Sequence, residues 1–319
     1  MSAPEPAVPS TALTRRGLVL GGAALGAGAA AAPLIGAGTA EAASTGSFRV
    51  AQVNLPYSMS DRKFFEDLGQ VGLRSDLIGL NEVWDVDRAI PLAYWADVNR
   101  FHLVHFPGTN LSDNAVLARK SVFDIADKGS WYSDDINGAA GPIPNSSVWG
   151  RFVHRRTGVG IVHCSMHLPP HIESRVRPKA PDGRLPSVFD QIFTTAVGAA
   201  LSAQAGLEVV LTGDLNIDYA RDSDRTGGRK PTPQFPFAMF EDKAKRSALP
   251  SLRSCYTIHG VKGSGTHGSG GRRHIDYVYH FIKPRGQNRL QSRGYSYLRN
   301  LHSDHDAVLS TSTVRRKPR

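Results

Sequence analysis

Short apolar segments alternate with amphipathic segments along most of the chain. Residues 47–55, 76–84 and 208–217 are rich in β-branched and other apolar residues, which is typical of strands. In residues 58–73 and 186–206 the apolar residues recur at helical spacing instead. Because helices that alternate with buried strands cover the faces of sheets, the pattern predicts an α/β or α+β sandwich.

The remaining segments extend this pattern, with no linker to divide them. The other predicted elements are a helix at residues 86–100, strand-rich residues 101–168 with a hairpin turn at 156–158, a short helix near 237–249, and strands at 273–282 and 307–314. Pro91 is expected to limit the first turn of the 86–100 helix. Residues 43–319 are therefore predicted to form a single domain.

Residues 1–42 differ in composition and do not belong to the predicted domain. Arg15 and Arg16 precede an apolar run rich in alanine and glycine, and residues 40–42 form a small-x-small cleavage signal. This architecture is typical of a twin-arginine secretory signal, and the cleavage signal argues against an uncleaved membrane helix. No other stretch approaches the roughly 20 apolar residues of a membrane span. We expect a secreted protein with no stable membrane insertion after cleavage.

The formal net charge is +10 over 319 residues. The arginines of the leader are balanced by Glu5 and Glu41, so this charge belongs to the predicted domain. A basic protein favours polyanions such as nucleic acid, phosphorylated substrates or anionic lipid surfaces, although a basic enzyme can also carry charge that has no ligand. Cys164 and Cys255 are the only cysteines. They predict buried thiols, and a single disulfide stays open as an alternative in an exported protein.

Polar side chains interrupt the apolar segments where the predicted strands end or are about to begin. They are Asn54, Glu82, His167, Asp214, Asn216, Asp276, Asp304 and His305. Such groups are costly to desolvate unless they are paired or bind a cation, so convergent strand ends would form a mouth lined with carboxylates and imidazoles. Residues two apart on a strand point to one side, which predicts that Asp214 and Asn216 face the mouth together. An Asx-type turn is the alternative for this spacing, and Asp218 is expected beyond the strand in solvent.

Seven motifs resemble the endonuclease/exonuclease/phosphatase superfamily, whose fold is that of deoxyribonuclease I. In chain order they are "QVNL", "GLNEVW", "NAVLARK", "CSMHL", "LTGDLNID", "HIDYVY" and "SDHDAV", running from Asn54 to His305. Each motif is weak alone, but the ordered set is specific. The resemblance implies a four-layer sandwich, in which two mixed β-sheets pack face to face with helices outside.

The resemblance also implies a divalent metal site. Glu82 would be the main ligand with Asn54 beside it, and Asp304 would face the same metal region. Hard oxygen ligands of this kind suit Mg²⁺, Mn²⁺ or Ca²⁺ rather than zinc.

The catalytic roles follow from the same resemblance. His305 would be the general base that activates water, and Asp276 would fix its tautomer. Asp214 and Asn216 would position the water and a phosphate oxygen. His167 would donate a hydrogen bond to the phosphate and stabilise the transition state.

Four further positions are less secure or depart from the superfamily pattern. Asn114 matches a phosphate-contacting position, and Asp113 is a candidate for the carboxylate that supports His167. Asn81 stands where the superfamily commonly has glutamine, and His274 stands where arginine is frequent. Neither departure removes a proposed catalytic group, but both blur the substrate specificity.

The implied function is a secreted, divalent-metal-dependent phosphodiesterase, a monomer, most consistent with a nuclease that hydrolyses DNA. The alternatives are a sphingomyelinase-like phospholipid hydrolase, an inositol-phosphate phosphatase, and a binding protein without turnover. A zinc site is disfavoured because His163 and His167 would be about 13 Å apart on a strand, although His302 and His305 in a loop stay conceivable.

Two loops have open interpretations. The glycine-rich stretch 262–271 leads into a strand rather than a helix, so it predicts an active-site rim or a plain loop rather than a phosphate-binding loop. The basic stretch 171–186 could follow a nucleic-acid backbone or could be a solvated loop.

Overall fold

The structure is a computed structural model. It describes residues 45–84, 86–108, 113–132, 146–170, 172–175, 184–224, 226, 235–241, 251–268, 273–282 and 289–316. The predicted leader, residues 1–42, and most of the basic stretch 171–186 lie outside the described residues. In the described part of the chain, no helix has both the length and the apolar character needed to cross a membrane.

The first sheet is mixed and has six strands. These are β1 (Thr45–Asn54), β2 (Leu77–Asn81), β3 (Phe101–Val104), β4 (Asn114–Arg119), β11 (Leu290–Leu298) and β12 (Ala307–Arg315). They lie in the order β11-β12-β1-β2-β4-β3, with β1 and β2 parallel and the other pairs antiparallel. The predicted strand at 76–84 is shorter in the structure, because the backbone leaves the strand after Asn81.

The second sheet is also mixed. Its strands are β5 (Phe123–Tyr132), β6 (Ser146–His154), β7 (Gly160–His167), β8 (Glu208–Asp214), β9 (Ser251–Ser254) and β10 (Asp276–Ile282). They lie in the order β5-β6-β7-β8-β10-β9, and only β7 and β8 pair in parallel. The predicted hairpin turn joins β6 to β7, and Gly158 there has a φ of 66°.

Helices cover the outer faces of the two sheets. They are α1 (Asp61–Gly72), α2 (Val86–Val98), α3 (Arg184–Gln204), and the single-turn helices α4 (Tyr219–Ser223) and α5 (Cys255–His259). The buried face of α1, formed by Phe64, Leu68 and Val71, packs on the first sheet, as its helical spacing predicts. The prediction for Pro91 is wrong, because Pro91 lies inside α2, which continues past it.

The two sheets pack face to face around the larger core, which confirms the predicted four-layer sandwich. Gly79 of β2 faces Thr212 of β8 across the interface between the sheets. A Cβ atom at position 79 would lie 1.8 Å from Thr212 Oγ1, so only glycine fits there. Cys164 and Cys255 are free and buried, as predicted.

Candidate active site

The ends of several strands meet at one edge of the sandwich. Asn54 ends β1, His167 ends β7 and Asp214 ends β8. In the second sheet, Asp214 is paired in register with His167 on one side and with Asp276 on the other. Hydrogen-bonded pairing therefore brings three of the predicted polar residues together without any loop.

His305 reaches this edge from the loop that precedes β12. Its Nδ1 atom lies 2.8 Å from Oδ2 of Asp276, and both side chains are buried. The loop is fixed by Ser303, whose hydroxyl donates to the carbonyl of Asn54 at 2.8 Å and accepts from the amide of His305 at 3.0 Å. The Nε2 atom of His305 is left facing the mouth.

A second imidazole–carboxylate pair lies across the mouth. Nδ1 of His167 lies 2.8 Å from Oδ2 of Asp113, the residue just before β4. Asp113 is therefore the carboxylate that supports His167, the role for which the sequence made it a candidate.

Asp214 lies between the two imidazoles. Its Oδ2 atom is 3.7 Å from Nε2 of His305 and 3.8 Å from Nε2 of His167. The same oxygen accepts a hydrogen bond from Nδ2 of Asn54 at 3.0 Å. Two imidazoles and a buried carboxylate thus face one small volume.

The prediction that strand alternation points Asn216 to the same side as Asp214 is wrong. β8 ends at Asp214, and Asn216 has a left-handed φ of 51°. Its backbone amide donates to Oδ1 of Asp214 at 2.8 Å, which is the Asx-type turn. The turn still brings the Asn216 side chain to the mouth, where Nδ2 donates to the carbonyl of Leu168 at 2.8 Å and lies 3.4 Å from Nε2 of His167.

Asp218 is not in solvent as expected. It is 8% exposed, and its Oδ1 accepts the backbone amide of His274 at 2.9 Å. This contact ties the loop after β8 to the segment before β10. The departure at His274 therefore lies in a buried contact behind the mouth.

Glu82 and Asn54 form the candidate metal end of the mouth. Nδ2 of Asn54 donates to Oε1 of Glu82 at 2.9 Å, and the backbone amide of Tyr57 donates to Oε2 at 3.3 Å. Glu82 has a φ of 63°, which turns its carboxylate away from the path of β2. Oδ1 of Asn54 is buried and has no hydrogen-bond partner among the residues that the structure describes. An orphaned amide oxygen beside a carboxylate fits a hard divalent cation such as Mg²⁺.

Asp304 lies on the other side of His305. Its Oδ2 is 3.5 Å from Nε2 of His267, and its side chain is 63% exposed. Among the described residues, two groups of possible ligand atoms each lie within 4.8 Å of one another, and neither contains Glu82. One group is His267, Asp304 and His305, and the other is Asp214, Asp276 and His305. Asp304 therefore pairs with His267, while Glu82 pairs with Asn54.

A buried amide network supports the floor of the mouth. Oδ1 of Asn81 accepts from Gln52 at 2.6 Å and from the backbone amide of Asp214 at 2.9 Å, which connects the two sheets. Nδ2 of Asn81 donates to Oδ1 of Asn114 at 2.6 Å. Asn81 and Asn114 are both buried, so the asparagine at position 81 supports Asp214 rather than lining an open surface.

A sequence model described as "Endonuclease/Exonuclease/phosphatase family" matches residues 51–313, a span that includes every residue of this mouth. The chain belongs to the endonuclease/exonuclease/phosphatase family. It is therefore an enzyme of the phosphoric ester hydrolase type, and enzymes of this family generally depend on divalent metal ions.

Solved structures of the endonuclease/exonuclease/phosphatase family share the fold at low identity. A family protein from Bacteroides thetaiotaomicron is 17% identical, with a TM-score of 0.56, over 85% of this chain and 99% of its own. A mannosyl-6-phosphatase from the same organism is 18% identical, with a TM-score of 0.55, over 82% of this chain and 98% of its own. The catalytic domain of human nocturnin, with bound sulfate, is 13% identical, with a TM-score of 0.53, over 85% of this chain and 97% of its own. No curated protein sequence shows significant similarity to this chain.

Both imidazoles of this family member have altered proton affinity. Burial alone would lower the pKa of His167, but the carboxylates of Asp113, Asp214 and Glu82 outweigh burial and raise the pKa to about 9. Burial of His305 is likewise outweighed, chiefly by Asp276, and its pKa is raised. The His167 imidazole is consequently a proton-bearing hydrogen-bond donor at neutral pH.

Sequence reasoning missed His267. Its ring centroid lies 4.4 Å from that of His305, and the two residues form an isolated β-bridge. The only signal for His267 in the sequence was that it is a histidine inside the glycine-rich stretch 262–271. Its contact with His305 places the described part of that stretch at the rim of the mouth. The Nε2 atom of His302 lies 2.9 Å from Oε2 of Glu66 on α1. His302 therefore faces away from His305, and the two histidines do not form a zinc-binding pair.

Proposed function

We propose that this chain is an exported, divalent-metal-dependent phosphodiesterase that hydrolyses the backbone of DNA. The observation that carries the proposal is the position of the Asp214 carboxylate, within 3.8 Å of two imidazole Nε2 atoms that are each backed by a carboxylate. Hydrolysis of a phosphodiester needs a proton acceptor for water and a donor for the phosphate oxygens. The two histidines can divide these roles between them.

His305 would accept the proton from the attacking water in the metal-loaded enzyme, where the charge of the cation would oppose the carboxylates that raise the pKa of this imidazole. Asp276 holds Nδ1 at 2.8 Å, which leaves Nε2 as the free nitrogen on the mouth side. The buried carboxylate also stabilises the imidazolium that forms when the proton arrives. His267 and Asp304 border the same ring and would limit its movement.

His167 would donate a hydrogen bond from Nε2 to a nonbridging phosphate oxygen. The pKa of about 9 keeps this nitrogen protonated at neutral pH. The geometry is held by Asp113 at Nδ1, so the donor is positioned before the substrate arrives. Asp214 and Asn216 would orient the water and a second phosphate oxygen.

Asn54 and Glu82 would hold the divalent ion, for which Mg²⁺, Mn²⁺ and Ca²⁺ have the right ligand preference. A bound divalent ion supplies charge neutralisation for the phosphate and the leaving oxygen. Asp304 stays a predicted ligand, and its partner in the structure is His267.

Several features support a nucleic-acid substrate. The net charge of +10 favours a polyanion over a small neutral ester. Tyr57, whose backbone amide contacts Glu82, is 63% exposed, and Trp84, two residues after Glu82, is 43% exposed, so aromatic rings beside the metal end could stack on bases.

A substrate panel tests the proposal. Purified protein is incubated with plasmid DNA, RNA, sphingomyelin, inositol phosphates and mannose 6-phosphate, each with Mg²⁺, with Mn²⁺ and with excess chelator. We expect metal-dependent cleavage of DNA that is faster than turnover of every other substrate. Turnover of a phospholipid or an inositol phosphate without cleavage of DNA would replace the proposed substrate with one of the alternatives.

Export by the twin-arginine route is the second part of the proposal, and the motif at Arg15 and Arg16 supports it. Replacing both arginines with lysine should retain the protein inside the producing cell, while the parent chain is recovered outside with a new N-terminus near residue 43. Equal recovery of both chains outside the cell would refute this route.

A further inference from the structure

A depression on the outer face of the first sheet collects four cationic side chains. It has a volume of about 540 Å³ and lies where β11, β12 and β1 run side by side. The cations are Arg49 of β1, Arg74 after α1, Lys262 after α5 and Arg293 of β11, and all four are exposed. We call this feature the basic pocket. It contains none of the residues of the catalytic mouth.

Within the described part of the chain, no carboxylate forms an ion pair with a cation of the basic pocket. Nη1 of Arg74 donates to the carbonyl of Gln70 at 3.0 Å, and Nε of Arg293 donates to Oγ1 of Thr313 at 2.9 Å, so both contacts are to neutral acceptors. Among the described residues, no acidic side chain lines the pocket. Four like charges in one concavity repel one another, and an anion that enters it would relieve this repulsion.

Asp76 does not change this conclusion. It accepts the backbone amide of Arg49 at 2.8 Å, and its other oxygen accepts Nε of Arg119 at 3.1 Å. Asp76 is therefore already paired with a cation outside the pocket.

Strand register builds the floor of the pocket. Gly294 pairs with Thr311, and Thr311 pairs with Arg49, so the three residues form one row across the sheet. A register shift between Ser292 and Gly294 makes Arg293 the extra residue of a β-bulge, and bulges commonly re-aim a side chain. A Cβ atom at Gly294 would meet no atom within 4 Å, so the floor is open.

We propose that the basic pocket binds the sugar–phosphate backbone of a nucleic-acid substrate, at a distance from the bond that is cleaved. This inference rests on the proposed nuclease function. Arg49 is five residues before Asn54 on β1, which is about 17 Å along the strand. The pocket would therefore hold backbone that flanks the scissile phosphate, and not the scissile phosphate itself.

The shape of the pocket favours nucleic acid over a lipid surface. A concave site of about 540 Å³ admits a phosphate and its sugar, whereas a bilayer presents its headgroups in a plane. Hydroxyl groups of Ser296 and Thr311 lie among the cations, and serine and threonine are common partners of backbone phosphates. Leu309 is the only aliphatic side chain among the described residues that line it.

Two matched pairs of variants in the full-length chain test the proposal. Gly294→Glu adds a carboxylate to the open floor, and Gly294→Gln fills the same space without charge. Arg49→Gln removes one pocket cation, and Arg155→Gln removes one cation from the β6–β7 turn, where it pairs with Asp124. Binding of a labelled 20-base-pair duplex is measured in chelator across a salt series. Hydrolysis of bis(p-nitrophenyl) phosphate with metal is measured separately.

The pocket proposal predicts that Gly294→Glu weakens duplex binding about 10-fold at 0.1 M salt, while Gly294→Gln stays within about 2-fold of the parent. Arg49→Gln should reduce the slope of log K against log salt by about one unit, and Arg155→Gln should leave it unchanged. All four variants should hydrolyse the small diester at the parental rate.

Three outcomes would overturn the proposal that the basic pocket binds nucleic-acid backbone. Equal duplex binding by Gly294→Glu and Gly294→Gln would show that charge in the pocket plays no part. Slower hydrolysis of the small diester by the pocket variants would show that they act through the catalytic mouth. Weaker binding to vesicles of anionic phospholipid with unchanged duplex binding would assign the pocket to a membrane. If the parent cleaves no diester at all, the proposed function fails, and the duplex measurement still decides the pocket.

Discussion

Nδ1 of His305 lies 2.8 Å from Oδ2 of Asp276, inside the protein and across 29 residues of sequence. Asp276→Asn keeps the shape of the side chain but removes the charge that stabilises the imidazolium. We expect kcat for a phosphodiester to fall at least 10-fold in Asp276→Asn and over ~10²-fold in His305→Ala, and His305→Ala should also lower the unfolding temperature because it leaves the buried Asp276 carboxylate without its partner. Steady-state kinetics and thermal unfolding measure both, and a kcat within twofold of the parent for either variant would contradict the role of this pair.

His163, on the same strand as His167, provides a control for substitution of His167. His167→Ala should lower kcat by about 10²- to 10³-fold with a smaller effect on KM, because a donor to the transition state is lost. His163 is four residues earlier, buried, with Nε2 3.0 Å from Oγ1 of Thr212. His163→Gln should lower the unfolding temperature and leave kcat unchanged. The reverse pattern would place the chemistry elsewhere.

Gly79 tests how tightly the sheets pack beneath the mouth. In Gly79→Ala the new Cβ would lie 1.8 Å from Oγ1 of Thr212, so one sheet must shift. We expect a loss of about 1–3 kcal/mol in the free energy of unfolding. Gly69→Ala in α1 meets no atom within 4 Å and should stabilise the protein by about 0.5–1 kcal/mol. Denaturant unfolding of the two variants checks the contrast, and similar effects from both would argue against close sheet packing at position 79.

Two buried carboxyls behind the mouth make stability depend on pH. Burial raises the pKa of Asp222 to about 7 and that of Glu241 to about 7. Since both values lie above the unfolded values near pH 4, the folded protein binds more protons than the unfolded chain between about pH 4 and pH 7. These groups therefore lower stability as pH rises through that window.

Glu241→Gln removes one of these groups while keeping an acceptor for the Thr257 hydroxyl. The variant should be more stable than the parent at pH 8, and its unfolding free energy should fall less between pH 5 and pH 8. Asp97→Asn, at an exposed site on α2 that pairs with Lys120, is the control and should keep the parental slope. Identical slopes for the parent and Glu241→Gln would show that Glu241 does not retain its proton in the folded state.

Much of the fold was readable from the sequence, because strands such as β1, β8 and β12 bury residues in regular patterns that leave a local signal. The residue at which β2 ends could not be predicted from the sequence. It depends on the left-handed backbone of Glu82, which is stabilised by contacts from Asn54 and Tyr57 that no local pattern shows.

The site was predictable to the extent that ordered motifs carried it. The residues of the two imidazole–carboxylate pairs lie in or next to such motifs, whereas His267 lies in a glycine-rich stretch and reaches His305 only through tertiary structure. The basic pocket left no signal either. Its four cations come from four separate segments, and each one alone resembles ordinary surface charge.

The most direct test of the central claim compares the parent with Glu82→Gln and Glu66→Gln in hydrolysis of bis(p-nitrophenyl) phosphate, over a Mn²⁺ titration that starts from chelator-treated protein. We predict no turnover by the parent without metal, saturable activation by Mn²⁺, the same behaviour for Glu66→Gln, and a midpoint at least 10-fold higher or no activation for Glu82→Gln. Full turnover in chelator, or parental activation of Glu82→Gln, would contradict the assignment of this mouth as a metal-dependent phosphodiesterase site.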